Sequence, residues 1–175
     1  MPTVRVADQA DLVTVLPTAV FLVTGSEGWH ATLLGGHLAG RLTGFPGTDL
    51  ADLVAGSINA LVREHGLTPD TAPGSSVGIL RWDRDTVEVF VLGDTPVTVF
   101  TDDGPAPLTQ PGLVAEADPD IAYEARQRRW PRAAVHTVLL ADGHVPSWPD
   151  ALRRASADGP ETVLDDLTAL AVVTF

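Results

Sequence analysis

Two acidic strand ends carry the chemistry that this sequence offers. Val138-Leu139-Leu140-Ala141 runs into Asp142-Gly143, and Leu164-Asp165-Asp166-Leu167-Thr168 opens onto the apolar stretch Ala169–Phe175. Each apolar run reads as a buried β-strand with carboxylates at its mouth, and hard oxygen ligands of this kind hold divalent cations. Asp-Gly is also the commonest turn dipeptide, so the same residues fit a turn and a ligand. His30 and His37 would share one side of a helix, but zinc needs a third and a fourth ligand. Gly25-Ser26-Glu27-Gly28 lacks the Gly-x-Ser-x-Gly pattern of a nucleophile elbow. Gly35-Gly36 is not followed by the Lys-Ser/Thr of a phosphate loop. Arg126, Arg128, Arg129 and Arg132 form the only basic cluster. It reads as a solvated helix face, or as an attractor for a phosphorylated or acidic partner. His136 alternates within a strand and reads as packed. Trp29, Trp82, Trp130 and Trp148 read as core or rim packing.

The elements that must position these residues alternate between strands and helices. Leu12–Leu16 and Ala19–Thr24 read as strands around a Pro17-Thr18 turn, and Ala19–Val23 is continuously apolar, as a strand covered on both faces would be. Gly28–Leu42 has weak helical spacing diluted by internal glycines. Thr48–His65 is a stronger helix, with Thr48 as N-cap, Asp49 and Asp52 in the first turn, and Gly66 as the stop. Ser76–Trp82, Thr86–Leu92 and Pro96–Thr101 read as a meander of three strands. Pro105–Asp118 reads as a loop, Ile121–Trp130 as a short helix and Ala133–Ala141 as a strand. Trp148–Ala157 reads as a second short helix, and Thr168–Phe175 as the closing strand. Antiparallel strands with helices between them predict an α+β layered sandwich.

Composition excludes several function classes. The chain has 175 residues, with 23 acidic against 11 basic side chains and a net charge of -12. Such a surface repels nucleic acid and anionic membranes. There is no Cys, hence no disulfide framework and no thiol chemistry. No apolar run is long enough to span a bilayer and no signal peptide opens the chain, which predicts a cytoplasmic protein. No repeat or linker divides residues 1–175, so one domain is expected.

The order of these segments resembles the metal-dependent protein phosphatases (PPM type, protein phosphatase 2C-like), in particular short bacterial members. The resemblance covers nearly the whole chain. Gln9-Ala10-Asp11 followed by Ala19–Gly25 resembles the family's opening Asn-Glu-Asp strand and Asp-Gly strand. Pro73–Arg81 is similar to its small-residue strand start, and Val89–Val97, with Gly93-Asp94-Thr95 at its centre, to the hallmark Gly-Asp-Ser segment. Leu139–Gly143 resembles the Thr/Ser-Asp-Gly strand end, and Asp165–Thr168 the closing Asp-Asn/Asp-Ala-Thr strand. The resemblance implies a shortened four-layer α-β-β-α sandwich of two antiparallel sheets. It also implies two Mn²⁺ or Mg²⁺ ions at one end, holding a water that attacks phosphoserine or phosphothreonine.

Carried onto this chain, the resemblance puts Asp142 and Asp165 at metal-binding aspartates, Gly25 at the glycine whose carbonyl binds a metal, and Asp11 at an acidic strand start nearby. Thr24 falls where the family's aspartate bridges both metals, so a charge and a bridging ligand are lost together. Ala10 and Ala141 replace a glutamate and a hydroxyl residue, and Arg5 is one place out of register for a phosphate-contacting arginine. At most one weakly held Mn²⁺ or Mg²⁺ is expected, with no catalytic residue assigned. Three readings follow: a pseudophosphatase binding a protein partner or phosphoprotein, an active Mn²⁺/Mg²⁺-dependent phosphatase, and a non-catalytic interaction module.

Overall fold

The computed structural model describes residues 1–7, 12–143, 150, 153–154, 157–159 and 169–175. In chain order these form β1 (Thr3–Val6), β2 (Val13–Leu16), β3 (Ala19–Gly25), α1 (Gly28–Gly44), α2 (Leu50–His65), β4 (Ser75–Trp82), β5 (Thr86–Thr101) and β6 (Gly104–Gln110). A 3-10 turn over Pro119–Glu124 leads to β7 (Arg126–Pro131), and β8 (Val135–Ala141) and β9 (Ala169–Thr174) complete the set. Every pairing is antiparallel, in the order β1-β9-β8-β5-β4-β3-β2, with β6 and β7 also on β5.

The 16-residue strand β5 changes partners halfway. Its first part lies between β4 and β7, with Leu92 opposite Val77 and Val91 opposite Arg126. Its second part lies between β8 and β6, with Val97 opposite Leu140 and Leu108. Gly93 makes the change possible. Its φ of 86° is open to few side chains, and a Cβ there would lie 2.8 Å from the Leu113 carbonyl oxygen. The expected pair of strands, Thr86–Leu92 and Pro96–Thr101, is therefore one bent strand.

Burial follows from side-chain alternation. Phe21, Val23, Val77, Ile79, Phe90 and Leu92 pack with Leu34 and Leu38 of α1 and Leu53, Ile58 and Leu61 of α2. The opposite side chains Val20, Leu22, Leu80, Val89 and Val91 pack with Val97, Val99, Val138, Leu140, Ala171 and Val173. Six consecutive residues of β3, Ala19–Thr24, are buried because both of its faces are covered. The expected helix at Trp148–Ala157 falls largely outside the described residues.

Several expectations need correction. Asp49, not Thr48, caps α2, accepting from the Ala51 N–H at 2.8 Å, while the Thr48 carbonyl accepts from Arg81 at 2.6 Å. Gly66 closes the helix at φ 62° as expected. Residues expected in a loop form β6, where Pro105 and Pro107 occupy a strand outside the main path of the sheet. The expected helix Ile121–Trp130 is a 3-10 turn followed by β7, because Arg126–Pro131 find a pairing edge on β5. His136 is exposed and bonded to Asp102 at 2.8 Å rather than packed.

Candidate functional site

Four strands place small and acidic residues at one end of the sheets. β3 ends with Thr24 opposite Ser76 and Gly25 opposite Ser75. The Asp94 N–H donates to Ser76 Oγ at 2.9 Å, and the Gly143 N–H donates to the Asp94 carbonyl at 2.8 Å. A Cβ on Gly143 would also lie 2.8 Å from that carbonyl oxygen, so the Asp142-Gly143 corner sits tightly on the β5 bend. Thr24, Gly25 and Asp142 are thereby brought to the same end. β9 begins beside them, with Ala169 opposite Ala141. Asp11 and Asp165 lie outside the described residues.

Thr24 is 4% exposed, and its Oγ1 has no hydrogen-bond partner among the described residues. Next to it, Ser75 Oγ and His30 Nδ1 share a hydrogen bond of 2.7 Å. The Ser75 backbone pairs both ways with Ala115, at 2.9 and 2.7 Å. His30 is fully buried and its Nε2 has no partner among the described residues. Burial holds its pKa below the ordinary histidine value, so the ring is neutral around pH 7. His37 points elsewhere, 3.0 Å from Glu64, so the two histidines form no joint metal site. Arg5 lies on β1, opposite Val172.

Reading the residues alone missed Ser75, Ser76 and His30 as constituents of this end. A Ser-Ser pair gives little signal by itself, and the spacing of His30 points to His37 rather than to Ser75. Asp94 was legible only as part of a segment.

The oxygen-bearing groups that the described residues bring to this end include the Thr24 hydroxyl, the Gly25 carbonyl and the Asp142 carboxylate, with Asp94 on the adjoining bend of β5. Among the described residues, no group of three or more His, Cys, Asp or Glu could hold a metal ion. Among the described residues these oxygens supply less negative charge than a pair of divalent cations needs, while Asp11 and Asp165 lie outside the described residues. Among the described residues the buried Thr24 hydroxyl has no partner.

No family model matches the chain, and no curated protein matches it in sequence. Solved structures do. An arginine variant of a bacterial serine phosphatase superposes with a TM-score of 0.68 at 12% identity, covering 99% of this chain and 96% of that one. The catalytic domain of the serine/threonine protein phosphatase PstP, in complex with two manganese ions, gives 0.63 at 14% identity over 99% and 96%. The serine/threonine phosphatase Stp1 from Staphylococcus aureus gives 0.61 at 9% identity over 99% and 93%. RsbX, in complex with magnesium, gives 0.58 at 7% identity over 98% and 91%. The large antiparallel sheet, its few helices and these likenesses together show that the chain has the fold of the metal-dependent, protein phosphatase 2C-like serine/threonine phosphatases.

Proposed function

We propose that this chain is a divergent phosphatase-fold domain with an incomplete two-metal site, weakly active or inactive, that works as a regulatory pseudophosphatase. In this reading it is a shortened four-layer α-β-β-α sandwich and a cytoplasmic protein. It binds a protein partner or phosphoprotein and holds at most one Mn²⁺ or Mg²⁺ ion weakly.

One observation carries the reading: Thr24 Oγ1 is buried without a partner among the described residues, at the strand end that also holds Gly25 and is linked through Ser76 and Asp94 to the Asp142-Gly143 corner. A carboxylate at that position would join two cations and set their separation. A hydroxyl is neutral at pH 7 and supplies neither the charge nor the bridge. Loss of one well-placed electrostatic group commonly lowers turnover by ~10²–10³.

Calorimetric titration with Mn²⁺, beside hydrolysis of a generic phosphomonoester, tests this. The expected result is at most one weak site and little or no turnover. Thr24→Asp is expected to raise both Mn²⁺ affinity and Mn²⁺-dependent hydrolysis. Robust hydrolysis by the unmodified protein, abolished by Asp142→Asn, would overturn the reading in favour of an active enzyme. If Thr24→Asp restores neither binding nor turnover, the site has lost more than its bridge.

A further inference from the structure

We infer that the cleft between β6 and β7 is a docking site for an extended, carboxylate-rich peptide segment of a partner protein. The inference concerns a surface other than the Thr24 end, and it holds whether or not that end turns over substrate.

Three observations converge on this cleft. The first is charge. Arg126, Arg128, Arg129 and Arg132 are four of only 11 basic residues in a chain of net charge -12. The first three fall within the six-residue strand β7, where they are exposed. The expected helix would have spread these guanidinium groups around an axis, whereas the strand puts Arg126 and Arg128 on one face and turns Arg129 to the other, where it bonds Glu88.

The second is shape. A cleft of about 290 Å³ opens between the two strands, lined by Pro107, Leu108 and Thr109 on β6 and by Arg126, Gln127 and Arg128 on β7. Leu108 is buried and gives the cleft an apolar floor, and the arginines form one lip. The strands meet where Arg126 Nε donates to Gln110 Oε1 at 2.9 Å. That contact leaves the terminal nitrogens of Arg126 unengaged by any described residue. The Arg128 guanidinium lies over the Trp130 ring, 4.7 Å from its centroid, which fixes its plane without using its donors. Both groups are thus held in place with hydrogen-bonding capacity to spare.

The third is the edge. Among the described residues, β7 pairs only with β5, so a row of its backbone N–H and C=O groups faces outward. Such an edge accepts an added strand, and side-chain pockets then select its sequence. Arginine forks match carboxylates in pairs. Alternating carboxylates on the incoming strand would share the face of Arg126 and Arg128, and its intervening residues would lie on the opposite face.

The test uses the full chain and a fluorescein-labelled peptide of about eight residues in which Glu alternates with Val, followed by fluorescence anisotropy. Saturable binding that weakens steeply with added salt is expected. The double variant Arg126→Glu/Arg128→Glu should weaken it by about tenfold or more. The same variant should gain affinity for a peptide of alternating Lys and Val, which mere damage to the fold would not produce. A Glu-Val peptide N-methylated at alternate residues should bind less tightly, because methylation removes the donors that strand addition needs. Equal binding of the Glu-Val peptide by parent and double variant would overturn the inference. So would adsorption to phosphatidylserine vesicles without peptide binding, which would make the edge a membrane contact.

Discussion

Asp94 is tied to Ser76 by a hydrogen bond from its backbone N–H to the serine hydroxyl, at 2.9 Å. This bond joins the bend of β5 to the start of β4, directly opposite Thr24. Asp94 in turn receives the Gly143 N–H on its carbonyl at 2.8 Å. One serine hydroxyl therefore positions the peptide on which the Asp142 corner rests. Ser76 is 2% exposed, so water replaces it poorly. Ser76→Ala should cost roughly 1–3 kcal/mol in urea unfolding, the range for leaving a buried donor unpaired. In the Thr24→Asp background it should also lower Mn²⁺ affinity. An unchanged midpoint would mean that another acceptor reaches the Asp94 N–H.

Two glycines with nearly the same backbone should respond very differently to alanine. Gly93 and Gly112 have φ values of 86° and 85°. A Cβ on Gly112 meets nothing within 4 Å, whereas one on Gly93 meets the Leu113 carbonyl oxygen at 2.8 Å and the Ser76 side chain. Gly112→Ala should cost only the left-handed conformation, roughly 1–2 kcal/mol. Gly93→Ala should add an overpacking cost of roughly 1–3 kcal/mol. The comparison of the two midpoints is the test, and equal losses would show that the β5 bend relaxes freely.

The apolar runs made the fold legible. Ala19–Val23 and Val138–Ala141 announce strands because their faces are both covered, and Leu50–His65 announces a helix through its spacing and its Gly66 stop. The elements that failed depend on distant partners. Pro105 and Pro107 argue for a loop, yet β6 is held by β5 across a short turn. Arg126–Pro131 has no apolar alternation, since its side chains are mostly solvated and only Trp130 packs inward, so its strand state comes from the free edge of β5. At the candidate site, Asp142 was legible as the acidic end of an apolar strand, and Gly25 only through the family resemblance. Ser75, Ser76 and His30 were not legible, because their significance lies in register between β3 and β4 and in a contact spanning 45 residues.

Glu88 sits in register between Arg81 on β4 and Arg129 on β7, bonded to both. The partners differ in exposure: the Arg81 side chain is 11% exposed and that of Arg129 61%. Removing the exposed partner should matter little, so Arg129→Ala should cost about 1 kcal/mol or less, and less still in high salt. Arg81→Ala removes the buried partner, leaves Glu88 leaning on Arg129 alone and frees the Thr48 carbonyl. Its cost should reach about 3–5 kcal/mol. Chemical unfolding of both variants at low and high salt separates the cases. Similar losses for the two would mean that Glu88 is shielded from water less than its burial implies.

The His30–Ser75 contact predicts a pH dependence of stability. Burial lowers the pKa of His30 in the folded chain, while the unfolded chain titrates near the ordinary value of about 6.5. The folded state therefore resists a proton that the unfolded state accepts. Stability from this residue is fully present above about pH 6.5 and is lost as pH falls through that value toward the lower folded pKa. The loss can approach ~1.4 kcal/mol per pH unit for one proton. A charge on the fully buried ring would be poorly solvated, and a protonated Nε2 would find no acceptor among the described residues. His30→Gln retains a group that can bond Ser75 but cannot titrate. The substitution also changes packing, so the informative quantity is the slope of unfolding free energy between about pH 5.5 and 7.5 rather than its absolute value. The parent should lose more stability on acidification than the variant. Parallel slopes, or an imidazole NMR signal that titrates at the ordinary value in the folded protein, would show that water reaches the ring beside the Thr24 strand end.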